Sequence, residues 1–252
     1  MQIRRIFQYS LVLALTFFAG GLAAQADAAE SPSQPLTRES MEEVIRQYIL
    51  THPEVLMESL RAFQERQQAQ ERERTAAALV ARSSELLQDP ATPVGGNPQG
   101  DVTVVEFFDY RCGYCQRMAA TLTQLIAEDR NVRLVYKELP ILGPESVLAA
   151  RAALAARSQG KYLPFHDALL AASSPLTLEE ILKVAETIPL DTAKLQADMQ
   201  APEIQAALQR NRALAQQLGI RGTPAFIIGA ELVPGALELP RLKELVTKAR
   251  AR

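Results

Sequence analysis

Cys112 and Cys115 are the only cysteines in the 252-residue chain, and they stand three apart in Arg111-Cys112-Gly113-Tyr114-Cys115. A thiolate at the first sulfur can attack a disulfide, and a thiol one helical turn further on can close back and release the mixed disulfide. Two other chemistries of paired cysteines fit less well. Closing so tight a loop removes little unfolded-chain entropy, which makes a purely structural disulfide a poor stabiliser. Zinc asks for four ligands, and beyond the two sulfurs the chain offers only His52 and His166 as further soft donors. The reading is therefore dithiol-disulfide exchange with no metal, and with no cofactor beyond a redox-active Cys112–Cys115 disulfide.

The pair sits between two recognisable elements. Val102–Phe108 is a compact Val- and Phe-rich run, as expected of a buried strand, and beyond Cys112 the residues Met118, Leu122, Leu125 and Ile126 recur at helical spacing. Unpaired N–H groups and the positive end of the helix dipole at this junction favour an anion at Cys112. Glu106 interrupts the run six residues before Cys112. If the strand is buried on both faces, its carboxyl lies under the sulfurs with a raised pKa and can relay a proton to or from Cys115 through water; the alternative is a strand glutamate that reaches solvent.

Further along, Thr223-Pro224 leads into a strand at 225–228. A cis bond there turns the Thr223 backbone towards an extended substrate peptide beside the sulfurs, whereas a trans proline at a strand's first position has no functional role. Gly113 and Tyr114, between the sulfurs, complete the expected client-contacting set. His166 lies among Leu163, Phe165 and Leu169 and is read as ordinary helix packing with no catalytic role.

These residues need a scaffold. A second strand over Val132–Glu138 completes a strand-helix-strand unit, which implies parallel pairing and a right-handed crossover. An alanine- and leucine-rich stretch from 145 to 218 reads as several short helices. It is followed by a hairpin turning at Gly229-Ala230 and a terminal helix from about Pro240. The order predicts an α/β thioredoxin fold with an inserted helical domain, over residues 89–252 with the insertion at about 143–218. Ahead of it, residues 38–63 carry apolar residues from Met41 to Phe63 mostly three and four apart, with a break or restart at Pro53. Residues 64–75 are almost wholly polar and read as a solvated rod. Residues 38–88 thus form an N-terminal α-helical stalk or oligomerisation segment, whose stripe needs covering by its own catalytic domain or by another copy.

Residues 1–26 place Arg4 and Arg5 before an apolar run with small residues at its end, the pattern of a cleaved signal peptide, and 27–37 form a flexible lead-in. An uncleaved anchor is the alternative, but the apolar run is near or below spanning length and Gly20-Gly21 interrupts it. Removing Arg4 and Arg5 moves the net charge from -2 to -4, which speaks against nucleic acid as a partner. An exported, oxidising compartment, the periplasm, is the expected location.

Val-Val-Glu-Phe-Phe-Asp-Tyr-Arg-Cys-Gly-Tyr-Cys followed by Arg-Gly-Thr-Pro-Ala-Phe-Ile-Ile-Gly resembles the strand, active-site pair and cis-proline loop of the DsbA family of bacterial dithiol-disulfide enzymes. The resemblance covers about residues 90–250. It implies Cys112 as nucleophile, Cys115 as resolving thiol, Glu106 as buried acid and Thr223-Pro224 as the cis-proline element. Residues 38–88 and the segment after the second strand are more similar to the branch of suppressor-of-copper-sensitivity and Com1-like proteins, some of which oligomerise through an N-terminal stalk. Strongly oxidising family members carry Pro-His between the cysteines; Gly113-Tyr114 supplies no imidazolium, and Arg111 and Arg117 are the candidates to compensate.

The expected function is thiol-disulfide exchange on cysteine-containing exported clients, leaning to isomerase or reductase, with a homo-oligomeric stalk and a membrane redox partner that resets the pair. The competing readings are a monomeric dithiol oxidase and a non-enzymatic chaperone or copper-binding protein.

Overall fold

The computed structural model describes residues 37–172 and 175–251, so the expected signal peptide and residues 27–36 of the lead-in lie outside the described residues. The described residues divide into two compact units, one ending at Glu58 and the other starting at Ser59.

In the first unit, Thr37 caps α1 (Arg38–Thr51) by accepting the Ser40 N–H on its hydroxyl at 3.2 Å. The helix stops at His52, and α2 (Pro53–Ala81) starts at the proline, whose fixed φ suits a first helical turn and whose missing N–H is no loss there. No residue of α1 is buried. Met41, Val44, Ile45, Tyr48 and Ile49 are all exposed.

The second unit carries the rest of α2, whose polar stretch is solvated. Leu79 near the end of α2 and Leu86 in α3 (Ser83–Leu87) are nonetheless buried against the sheet. Residues 76–88, part of the expected stalk segment, thus supply core to the catalytic unit. Lys137 fixes that attachment: its ammonium, fully buried, donates to the Glu85 carbonyl and the Thr92 hydroxyl, both at 2.7 Å.

Among the described residues five strands, β1 (Val94–Gly96), β2 (Val102–Phe108), β3 (Val132–Glu138), β4 (Ala225–Ile228) and β5 (Glu231–Pro234), form one sheet in the order β1-β3-β2-β4-β5. β2 (Val102–Phe108) and β3 (Val132–Glu138) are parallel, joined through α4 (Gly113–Glu128) as the sequence pattern implies. β4 (Ala225–Ile228) runs antiparallel to β2, and β5 (Glu231–Pro234) antiparallel to β4. The remaining edge strand, β1 (Val94–Gly96), pairs antiparallel with β3. It lies in a stretch that reads as breaker-rich from sequence, because a three-residue Val-Gly-Gly strand has no alternation to reveal it and exists only by pairing with its neighbour.

Between β3 and β4 the chain builds α5 (Pro144–Ala156), α6 (Tyr162–Ala171), α7 (Leu178–Glu186), α8 (Thr192–Asp198) and α9 (Pro202–Gln217). α10 (Leu239–Arg250) closes the unit. Small residues let α5 pack closely: Ala149, Ala150, Ala152, Ala153, Ala155 and Ala156 are all buried. This is the thioredoxin-like arrangement with inserted helices. Among the described residues no helix is long and apolar enough to cross a membrane.

Candidate active site

Strand periodicity decides where Glu106 goes. Val104 and Phe108 belong to the core under α4, whereas Val105 and Phe107 belong to the opposite core with Leu86 and Leu214. Glu106 shares the parity of Val104 and Phe108, so it points beneath α4, where Cys115 sits in the first turn. It is buried to 3% exposure, and burial pushes its carboxyl up to about 8. No protein group among the described residues offsets that burial with a hydrogen bond.

Cys112 is the N-cap of α4, in extended backbone geometry, with its N–H donating to the Asp109 carbonyl at 3.0 Å. Its thiol donates to the Thr223 carbonyl at 3.2 Å and makes no capping bond to the helix. The Thr223–Pro224 bond is cis. The structure therefore brings together Cys112, Cys115, Glu106, Thr223 and Pro224 from three separate parts of the chain. Both cysteines are free thiols, at 7% and 1% exposure. Burial raises Cys115 most; the Glu106 carboxylate and Cys112 push the same way, and a backbone hydrogen bond from Asp109 opposes them. The deeper sulfur is thus held as a thiol.

Tyr114 is exposed, and the Arg117 guanidinium lies 4.4 Å from its ring centroid, a cation-π pair at the rim of the site. Gly113, the first residue of α4, meets only the Arg117 guanidinium, 3.8 Å from where its Cβ would lie. Arg111 does not act as a free charge beside the sulfur. Its Nη1 binds Glu145 at 2.8 Å and the Leu142 carbonyl at 2.7 Å, so its charge is matched before it reaches Cys112. The compensation expected of Arg111 for the missing imidazolium is corrected accordingly.

Two buried groups escaped the sequence reading. Asp109, at 1% exposure, accepts the Arg111 N–H and the Ser146 hydroxyl on Oδ1 at 2.8 Å. On Oδ2 it accepts the N–H groups of Ile141 and Leu142, at 2.8 and 3.0 Å. One carboxylate thereby ties the cysteine loop to the loop after β3. Its only sequence signal was an acid between an apolar strand and Cys112. Removing this acceptor leaves four donors unmatched; Asp109→Ala is expected to lower unfolding free energy by about 3 kcal/mol, read from the urea midpoint.

Behind the sulfurs lies a polar cluster. Tyr110 and Tyr162 both donate to Glu138 Oε1, at 3.0 and 2.8 Å, and His166 Nδ1 lies 3.0 Å from the Tyr110 hydroxyl. His166 does pack in the core, edge-on to Phe108 at 4.8 Å between centroids. Burial brings it down to about 3, so it is neutral. Among the described residues no group of three or more His, Cys, Asp and Glu side chains is placed to hold a metal ion.

One sulfur at a strand-to-helix junction, a second one turn deeper and the Thr223 carbonyl of a cis Thr223–Pro224 bond beside the first give the arrangement of a thioredoxin-fold dithiol site. The chain belongs to the DSBA-like thioredoxin domain family, whose model matches residues 103–247. A second model, the N-terminal domain of the copper resistance protein ScsC, matches residues 38–70. A thioredoxin-like oxidoreductase from Silicibacter pomeroyi is 52% identical, with a TM-score of 0.66 over 67% of this chain and 98% of that one. The thiol-disulfide exchange protein alpha-DsbA2 from Wolbachia pipientis is 31% identical, with a TM-score of 0.67 over 70% of this chain and 96% of that one. Among curated proteins, a Na(+)/H(+) antiporter NhaA 3 from Salinispora tropica is 30% identical over 71% of this chain, which spans only 28% of that longer protein.

Proposed function

We propose that the chain catalyses dithiol-disulfide exchange on cysteine-containing exported proteins in the periplasm, as an isomerase or reductase working from a homo-oligomer. Its redox group is the Cys112–Cys115 pair itself, and a membrane redox partner resets it. Cys112 attacks a client disulfide, one client sulfur leaves, and the mixed disulfide is resolved either by the client's other thiol or by Cys115. Glu106 takes the Cys115 proton. The Thr223 backbone and Tyr114 border the client, and Gly113 leaves room beside the sulfur.

The observation that carries the exchange reading is the 3.2 Å contact between Cys112 Sγ and the Thr223 carbonyl, with Cys115 behind it over a buried acid. The lean to isomerase rests on the exposed apolar residues of α1 and on the ScsC-like segment 38–70. A second copy of this chain is the natural cover for such a stripe, and assembly presents several sulfur pairs to one client.

The test is refolding of a scrambled-disulfide substrate by the exported chain and by a form lacking residues 38–70, which keeps Leu79 and Leu86 in the core. The deletion is expected to lower isomerisation about tenfold while leaving dithiol oxidation unchanged, and to convert an oligomer to a monomer in sedimentation. Equal isomerisation by both forms would leave the monomeric oxidase as the better reading. No turnover in either would overturn the enzyme assignment.

A further inference from the structure

The floor of the site runs from Cys112 Sγ to the Thr223 carbonyl, 3.2 Å away. A glycine follows the cysteine and another precedes the threonine. A Cβ on Gly222 would meet nothing within 4 Å, and one on Gly113 would meet only the Arg117 guanidinium, at 3.8 Å. Both glycines are exposed, so the backbone beside the sulfur and beside the carbonyl is open to an extended peptide.

An arginine accompanies each glycine. Arg221 directly precedes Gly222 and is exposed. Arg117, also exposed, lies over Tyr114 with its Cζ 4.4 Å from the ring centroid. That contact uses the face of the guanidinium and leaves its N–H groups able to bind a carboxylate. Other arginines of the catalytic unit are already matched: Arg111 by Glu145, Arg210 by Asp89, and Arg250 by Asp101 and Asp129. Among the described residues, Arg117 and Arg221 form no ion pair. The carboxylates nearest in the fold do not cancel them. Glu145 is engaged by Arg111, Glu106 is buried, and Asp109 is buried and accepts from four donors. Glu238 is brought towards α4 by its neighbour Leu237, whose N–H donates to Met118 Sδ at 3.3 Å, yet it pairs with neither arginine. The whole chain carries a net charge of -2, so this positive rim is a local feature.

We infer that the rim selects clients whose reacting cysteine is flanked by acidic residues, one carboxylate meeting Arg117 and the other Arg221 as the peptide crosses Cys112 along the Thr223 backbone. The inference deepens the proposed function and rests on Cys112 being the attacking sulfur. Each exposed pair of this kind favours association by a factor of about 1.5 to 5, and two together by about fivefold. The attraction reaches roughly 10 Å at 0.1 M salt. Sulfur chemistry alone gives the opposite preference, because a carboxylate beside a disulfide repels an incoming thiolate.

The experiment uses the reduced exported chain and peptides of one extended sequence, each carrying its cysteine as a 2-pyridyl disulfide with aspartate, asparagine or lysine on both sides. Cys112 Sγ bonds to the peptide sulfur as the peptide–pyridyl disulfide bond breaks, and the leaving thiolate takes the electron pair and a solvent proton to give the absorbing pyridine-2-thione. Each rate is divided by that of the same peptide with dithiothreitol, which removes the repulsion intrinsic to the peptide. The aspartate peptide is expected to react about fivefold faster than the lysine peptide, the asparagine peptide to fall between them, and the preference to shrink towards unity in about 0.5 M salt. Arg117→Gln and Arg221→Gln are each expected to reduce the ratio about twofold, and Arg221→Glu combined with Arg117→Gln to invert it. A ratio read within one protein is unaffected by changes in Cys112 nucleophilicity or in the amount of folded chain. Equal normalised rates in the parent protein, or a preference that persists undiminished with both arginines replaced by glutamine, would overturn selection by charge and leave the exchange reading standing. Absence of thione release from every peptide would overturn attack by Cys112, and the proposed function with it.

Discussion

Replacing Cys112 with serine is expected to lower disulfide exchange at least ~10³-fold, whereas Cys115→Ser is expected to leave the first attack intact and to accumulate client on Cys112. The asymmetry follows from position. Cys112 is at the N-cap, next to the Thr223 carbonyl, and at 7% exposure is the less buried of the two sulfurs. Cys115 is at 1% exposure, and burial together with Glu106 holds it as a thiol, so it has neither the access nor the charge to begin the reaction. A hydroxyl in place of the first sulfur is too weak a nucleophile at neutral pH to substitute for it. Intact-mass measurement after incubation with a disulfide-bearing protein reads the trapped adduct. Adducts on both single variants in equal yield, or on neither, would contradict the order of attack.

The second large effect concerns stability. Glu106→Gln is expected to stabilise the reduced protein by about 3 kcal/mol at pH 7 and by nothing measurable below about pH 4.5. The ordinary value for the carboxyl is 4.5, and burial raises it to about 8 in the folded chain. Between those two values the folded protein holds a proton that the unfolded chain has released. Stability therefore falls as pH rises through that window, by ~1.4 kcal/mol per unit. Glutamine does not titrate, so the gap between variant and parent should open from pH 4.5 upwards and level off above about 8. Urea unfolding of both proteins across this range measures it, and a gap independent of pH would show that the carboxyl does not carry the charge penalty. A more stable protein that resolves its mixed disulfides more slowly is the pattern expected when a destabilising group is kept for its chemistry.

The two effects together explain the arrangement under α4. In the proposed reaction, a resolving thiol kept neutral by burial stays inert towards chance disulfides and becomes a nucleophile only when the acid beneath it takes its proton. The cluster of Tyr110, Tyr162, Glu138 and His166 and the Asp109 clamp hold the cysteine loop on rigid elements at this junction. The groups that react are thereby positioned by the fold rather than by loop chance.

Much of this was legible in residue order. Cys112 and Cys115 announce their chemistry by type and spacing, Val102–Phe108 and the stripe from Met118 to Ile126 announce the strand and helix that flank them, and Pro53 marks where α1 gives way to α2. Such signals are local: they follow from backbone preference and from burial of one face over a few residues. Glu106 was readable as a candidate because strand parity is also local, but its burial depended on Phe108, Tyr136 and α4 closing over it. β1 could not be read, since Val94–Gly96 is a strand only through Val135, Leu134 and Arg133 across from it. Asp109 gave no pattern because the N–H groups that define its role belong to residues 32 and 33 positions away. The Arg111 charge is engaged by Glu145, a partner far along the chain that no local pattern indicates. What the sequence by itself determined was the sulfur pair with its spacing and the elements at its shoulders. The tertiary structure decided which carboxylates are buried and which charges are already matched, because solvation and pairing are set by the neighbours a side chain meets in space.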